Sequence, residues 1–216
     1  AQYNMQVINC TNPANLFHML RRHMKRKFRK PLVLFSPKSL LRHPDCVSSI
    51  NDFTLENFQE IIYNPKASNS LIKKIVFLTG KLFYDLNKRK DELKNDDVLL
   101  IRLEQLYPFP KRKLQVVIKK YNKVKEYIWA QEEPENMGAW SFVSQNLGKI
   151  VPLKVVSRRL SAAPASGSSK KFNNPKKVEL KINKMPVIHT NFIKDFGCLC
   201  CINLSNSHFF NLNKFY

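Results

Sequence analysis

The chain has 216 residues, of which 44% are hydrophobic and 25% charged, with Lys+Arg 37 against Asp+Glu 16 and a formal net charge of +21. That composition supports a real core in one large domain or one and a half small ones, at an ordinary charge density. The longest apolar runs, "IVFLTG" and "VLLI", exclude a membrane helix, which takes roughly 20 residues.

The first residues, "AQYNMQVIN", carry no charged-then-apolar secretory pattern, and the chain begins without Met, as a processed product or a piece of something larger would. The five cysteines are Cys10, Cys46, Cys198, Cys200 and Cys201. An odd count with three packed into "CLCC" argues against a secreted disulfide framework and for reduced thiols in a cytosolic or matrix compartment. "CLCC" has no fourth ligand in a Cys-x-x-Cys frame, since His189 and His208 fall outside one, so no metal is expected. Positive charge raises nucleic acid as a partner. The densest cluster, "RRHMKRKFRK" at 21–30, reads instead as the solvated face of a helix, and no zinc-finger, RNA-recognition or basic-zipper pattern accompanies it.

In chain order, short apolar runs alternate with segments of helical period, the pattern of β-α-β units on a parallel sheet. "MQVINC" predicts a strand. Asn12 is placed to cap the helix that follows, with Pro13 at its first position, where a missing N–H costs nothing. Leu16, Phe17, Leu20 and Met24 then share one face, and His18 beside Phe17 reads as structural. "PLVLFS" predicts a buried strand. Ser39 is placed to cap a short helix after it. "INDFTLENFQEIIYNPKASNS" reads as a linker with modest structure. "IKKIVFLTG" predicts a strand, with Gly80 leading into a helix that carries Leu82, Phe83 and Leu86. "DDVLLIRLE" predicts another strand, and Pro108 and Pro110 then break the chain. Leu114, Val117, Ile118 and Tyr121 form the strongest helical stripe present. "KEYIWAQ" predicts a strand, Trp140, Val143 and Leu147 a helix stopping at Gly148, and "LKVVSRR" a last strand. "LSAAPASGSSKK" is a loop of small residues.

These elements divide the chain into four. Residues 1–50 read as the closing strand-helix-strand of one α/β domain, and 51–71 as a linker. Residues 72–171 read as a small α/β domain of four parallel strands with room for an added edge strand. Residues 172–216, a mixture of Asn, Lys and Phe, form a divergent tail without sustained pattern, expected to pack poorly or be disordered. The five glycines are too scattered for a Walker loop or a dinucleotide fingerprint, and no Gly-x-Ser-x-Gly elbow or Ser-His or Cys-His pair is suggested. A self-contained active site is not expected.

Six phrases carry a more specific signal: "NPANLFHMLRR", "RKPLVLFSPKSLLRHP", "TGKLFYDL", "RLEQLYPFP", "QEEPENMGAWSFV" and "SAAPASGSSKK". In this order they resemble the C-terminal part of the thiamine-dependent 2-oxoglutarate dehydrogenase family, the succinyl-transferring, decarboxylating first component of the 2-oxoglutarate dehydrogenase complex. The resemblance runs from about Asn4 to Lys171. It implies a transketolase-type α/β fold, in which 1–50 would end a pyrimidine-binding domain and 72–171 would be a C-terminal domain with a mainly parallel sheet. It implies an oxidoreductase of the tricarboxylic acid cycle that decarboxylates 2-oxoglutarate and passes the succinyl group to a lipoyl arm. The cofactor does the hard step. Thiamine diphosphate and Mg would serve the full-length enzyme, with no cofactor expected on this stretch, because the family's Gly-Asp-Gly motif does not occur here and its activating Glu and histidines would lie upstream. The implied partners are a second copy, in a homodimer, and the lipoyl-bearing succinyltransferase. The stretch alone would be structural, dimerising and inactive. Mitochondrial matrix and bacterial cytoplasm both suit it. The alternatives are a relative acting on 2-oxoadipate and a basic module binding nucleic acid or an acidic partner.

Two site candidates follow. Cations around a short helix after "PLVLFS" predict an anion site of Thr11, Lys30, Lys38 and Arg42, and the resemblance implies a nucleotide or acyl-CoA regulator there. The acidic knot "AQEEPENMGAW" follows a strand end, where function gathers in open α/β folds. It predicts a domain or subunit contact of Gln131, Glu132, Glu133, Asn136, Trp140 and Arg158.

Overall fold

A computed structural model describes residues 2–163. The expectations for 164–216, including "CLCC", most of the small-residue loop and the tail, lie outside the described residues. Two compact units divide the chain, one of residues 2–131 and 139–156, the other including 132–138 and 157–163.

In the larger unit β1 (Gln6–Asn9) leads through Asn12 into α1 (Pro13–Lys25). The Asn12 side chain accepts the Asn15 N–H at 2.8 Å, and Pro13 fills the first turn. β2 (Leu32–Phe35) pairs parallel with β1, and β6 (Gln105–Tyr107) pairs with its other edge antiparallel, giving the sheet order β2-β1-β6. A second sheet has the order β3-β5-β4-β7-β8. Its strands are β3 (Ile61–Tyr63), β4 (Lys74–Leu78), β5 (Val98–Leu103), β7 (Glu126–Pro134) and β8 (Leu153–Arg158). β4 runs parallel to both β5 and β7, whereas β3 is an antiparallel edge strand on β5. The helices are α2 (Ile50–Thr54), α3 (Leu82–Glu92), α4 (Lys111–Lys120) and α5 (Trp140–Leu147).

The core lies on the five-stranded sheet. Phe77, Ile101, Leu103, Tyr121 and Trp129 are sealed from solvent, with Leu114 and Val117 of α4 and Val143 and Leu147 of α5 packed among them. β4 and β5 are buried along nearly their whole length, as central strands covered on both faces must be. Gly80, at φ +70, is required by its place. The positive φ favours glycine, and a Cβ there would stand 2.7 Å from the Asn9 side chain, which would have to shift.

Several expectations change. β2 is not a buried strand: its exposure alternates, with Val33 and Phe35 over 40% exposed, because only the Leu32/Leu34 face is covered. The buried side of α1 is Asn15, His18 and Met19, while Phe17, Leu20 and Met24 face out. The turn Lys38–Arg42 is 3-10 and starts after Pro37 without a side-chain cap, so Ser39 lies inside it. The stretch 51–71 contributes most of α2, held by a Ser49/Asp52 capping box, and all of β3.

Candidate functional site

The sequence "CTNPAN" carries the chain from β1 into α1, and at this strand end polar groups are buried together. Glu104, where β5 passes into β6, has no exposed surface. Its carboxylate accepts the Thr11 N–H at 2.9 Å, the Thr11 hydroxyl, and the Asn15 side-chain N–H at 2.9 Å. Its carbonyl accepts the Asn9 N–H at 2.8 Å. Arg102, two residues earlier on the same strand face, donates from Nη1 to the Thr11 hydroxyl at 2.9 Å. The guanidinium lies 4.0 Å over the Phe83 ring. Tyr84 donates its hydroxyl to the Thr11 carbonyl, which also accepts from the Cys46 thiol at 3.3 Å. Asn15 completes the network. It donates to the Gln59 carbonyl at 3.0 Å and accepts the Gln59 N–H at 2.8 Å.

Electrostatically this is a buried Glu-Thr-Arg relay. Burial pushes the Glu104 carboxyl up; the Arg102 charge and the donors from Thr11 and Asn15 pull it back. Burial pulls Arg102 down against the opposing pull of Glu104. Burial also raises the Cys10 thiol, keeping it protonated and a poor nucleophile, and raises Tyr84. Beside the relay a cavity of about 150 Å³ opens between Cys10, Thr11, Leu16, Leu34, Leu40 and Cys46.

The structure does not bring the four anion candidates together. Thr11 is sealed, and its N–H and hydroxyl already serve a carboxylate, so a second anion would meet Glu104. Lys30 precedes β2, with Nζ on the Tyr3 carbonyl at 2.6 Å. Lys38 and Arg42 are exposed beyond the other end of that strand, and a four-residue strand alone spans about 13 Å.

The acidic knot falls into two pieces. In the larger unit the buried Gln131 side-chain oxygen accepts the Trp129 indole N–H at 2.8 Å and the Trp140 N–H at 3.0 Å. It is an internal bracket, and half-buried Trp140 packs on the core. In the smaller unit Arg158 donates from Nε to the Glu132 carbonyl at 3.0 Å, and its own carbonyl accepts the Glu135 N–H at 3.0 Å. Asn136 and Ser161 bond reciprocally, at 2.9 and 3.1 Å. Glu133 is half-buried near the end of β7.

Sequence reasoning missed Glu104, Arg102, Asn15 and Tyr84. The available signal was "VLLIRLEQLY": two charges on one face of an otherwise apolar strand, where ionised groups rarely sit unpaired.

The fold is α/β, and the family matches give it as the transketolase type. The family described as "2-oxoglutarate dehydrogenase C-terminal" matches residues 47–181, and "Transketolase, pyrimidine binding domain" matches 2–44. The chain belongs to the 2-oxoglutarate dehydrogenase C-terminal family, preceded by the end of a pyrimidine-binding domain. It is 42% identical over 186 residues to the 2-oxoglutarate dehydrogenase E1 component of Cupriavidus necator, covering 84% of this chain and 20% of the relative. It is 41% identical over 180 residues to the multifunctional 2-oxoglutarate metabolism enzyme of Mycolicibacterium vanbaalenii, covering 79% and 14%. The chain thus spans a fifth or less of the length of these relatives.

A diphosphate cofactor with magnesium needs oxygen ligands on the metal and donors on the phosphates. Among the described residues no three His, Cys, Asp or Glu side chains are grouped to hold a metal, and the strand-end cavity is lined mainly by apolar groups. These residues do not fit that group. Among the described residues no helix is long and apolar enough to cross a membrane.

Proposed function

We propose that the chain is the C-terminal portion of a 2-oxoglutarate dehydrogenase, a thiamine diphosphate-dependent enzyme that decarboxylates 2-oxoglutarate and passes the succinyl group to the lipoyl arm of a partner succinyltransferase. The observation that carries the reading is 42% identity to a 2-oxoglutarate dehydrogenase E1 component along 84% of the chain. Residues 2–163 serve as scaffold: the Glu104 network fixes the end of the pyrimidine-binding segment, and the end of β7 with the turn after it, Glu132, Glu133 and Asn136, meets a second copy in a homodimer. Thiamine diphosphate is held upstream, by residues outside this stretch.

A chimera tests this. The matching C-terminal stretch of the Cupriavidus necator E1 component is replaced by residues 1–171 of this chain. Retained dimerisation in sedimentation and decarboxylation of 2-oxoglutarate, at a rate exceeding that on 2-oxoadipate, are expected. A folded chimera inactive on both would overturn the reading.

A further inference from the structure

The outward face of α1 is apolar. Phe17, Leu20 and Met24 follow one another at helical spacing and are 44%, 52% and 67% exposed. Phe28, three residues past the helix end, is 48% exposed. The inward face carries polar side chains instead. Asn15 and His18 are buried, and Arg22 turns in to Gln6 and Gln105 and lies 3.9 Å over the Phe58 ring. An ordinary surface helix has the reverse arrangement, and clustered exposed apolar side chains mark a contact surface.

Cations border this stripe. Residues 1–44 hold nine lysines and arginines and no aspartate or glutamate, and seven of the nine fall within 21–30. Because α1 ends at Lys25, that cluster is not one helical face. Arg26 is drawn in to Gln6 at 2.7 Å, and Arg29 and Lys30 serve backbone carbonyls. Arg21, Lys25 and Lys27 are exposed, and among the described residues none of them makes an ion pair.

The mixture of apolar and basic groups selects the occupant. A second copy would set nine cations against nine. A nucleic acid would neutralise the cations but leave Leu20 and Met24, which have no ring for a base to stack on, without a partner. The interface of an anionic bilayer takes both, with apolar tips in the acyl boundary and lysine and arginine heads level with the phosphates. Lying on such a surface needs no spanning helix. We propose that the outward face of α1 and the turn after it dock the protein on an anionic lipid surface, with Leu20, Met24 and Phe28 inserted and Arg21, Lys25 and Lys27 on the headgroups.

Co-sedimentation of the whole 216-residue chain with vesicles tests this. The vesicles are phosphatidylcholine alone, or equal parts phosphatidylcholine and phosphatidylglycerol, and single-stranded poly(dT) is the competing polyanion. Saturable binding to the mixed vesicles is expected, with none to phosphatidylcholine alone. Lys25→Gln with Lys27→Gln should weaken it by about twenty-fivefold, since each cation near such a surface contributes about fivefold. Leu20→Ser with Met24→Ser should weaken it by about tenfold and leave any binding of poly(dT) unchanged, which separates insertion from charge alone. All four side chains are exposed, so both double variants should melt with the unaltered protein. Absence of binding to the mixed vesicles, equal binding to phosphatidylcholine alone, or vesicle binding that either double variant leaves as tight as before would overturn the proposal. Binding of poly(dT) without binding of vesicles would overturn it in favour of a nucleic-acid surface.

Discussion

The five-stranded sheet and the segment before it are held by opposite means. Around Phe77, Tyr121 and Trp129 the chain has a dense apolar core covered by α4 and α5. The segment around β1, β2 and α1 has a small apolar cluster of Ile8, Cys10 and Met19. Most of the exposed large hydrophobic side chains, among them Phe17, Leu20, Phe35 and Leu41, also lie in this early part. What fixes β1 and α1 instead is hydrogen bonding from Glu104, Arg102 and Tyr84, over 70 residues away in sequence. An apolar core is cooperative and forgiving of detail. A buried polar node is specific, and fails when one member is removed.

The largest expected effect breaks the first region. Trp129→Ala removes a fully buried side chain and the donor that Gln131 accepts. It should cost about 3–5 kcal/mol in chemical denaturation. Because this core is shared by every strand of the larger sheet, amide exchange should accelerate throughout residues 72–151.

The next effect sharpens the contrast. Glu104→Ala strips the partner from Arg102 and leaves the Thr11 and Asn15 donors buried, a loss of about 3 kcal/mol if the charge stays uncompensated. Here the damage should be local. Exchange should rise in residues 6–25, while the amides of β4 and of residues 98–101 stay protected. Glu104→Gln keeps an acceptor for Thr11 and should recover part of the protection. Uniform acceleration across both regions in Glu104→Ala would mean that the two form one cooperative block.

This contrast also explains what could be read from the sequence. Helices α1, α3, α4 and α5 and strands β4, β5, β7 and β8 were legible because apolar periodicity is local: "KIVFL", "VLLIRL" and the Leu114 stripe each declare themselves within a dozen residues, whereas α2 and β3 lay in the stretch read as a linker. Likeness of phrases gave the family. β6 was invisible because three residues directly after β5 carry no period of their own, and their pairing partner is almost 100 residues earlier. The buried side of α1 was misread for a related reason. Hydrophobicity pointed to Phe17, Leu20 and Met24, but Glu104 and Gln59 await Asn15, and no local pattern announces a polar helix face that is buried. The anion candidates failed to converge because sequence proximity to a strand does not say which end of it a lysine occupies. Thr11 had its partner already, in a glutamate that no periodicity flagged.

The smallest effect tests whether charge matters anywhere in the larger sheet. Glu126 opens β7 beside Lys74 of β4, and Lys154 of β8 reaches the same carboxylate. Its two oxygens stand 3.3 Å from Lys74 Nζ and 2.8 Å from Lys154 Nζ. The hydrogen bond from Lys154, with Lys74 adding to it, holds the Glu126 carboxyl below the usual carboxylate range. A carboxyl lowered on folding adds stability above its unfolded pKa, and that contribution disappears as pH falls through the folded value. Glu126→Gln should therefore cost about 0.5–1 kcal/mol at neutral pH, because Lys154 is largely exposed and the pair is screened. The gap to the unaltered protein should narrow as the pH falls below the ordinary glutamate value, about 4.3, and on through the lowered folded one. It should also shrink in molar salt. A gap that holds constant from neutral to acid pH would assign the loss to packing, and the larger region would then owe nothing measurable to this ion pair.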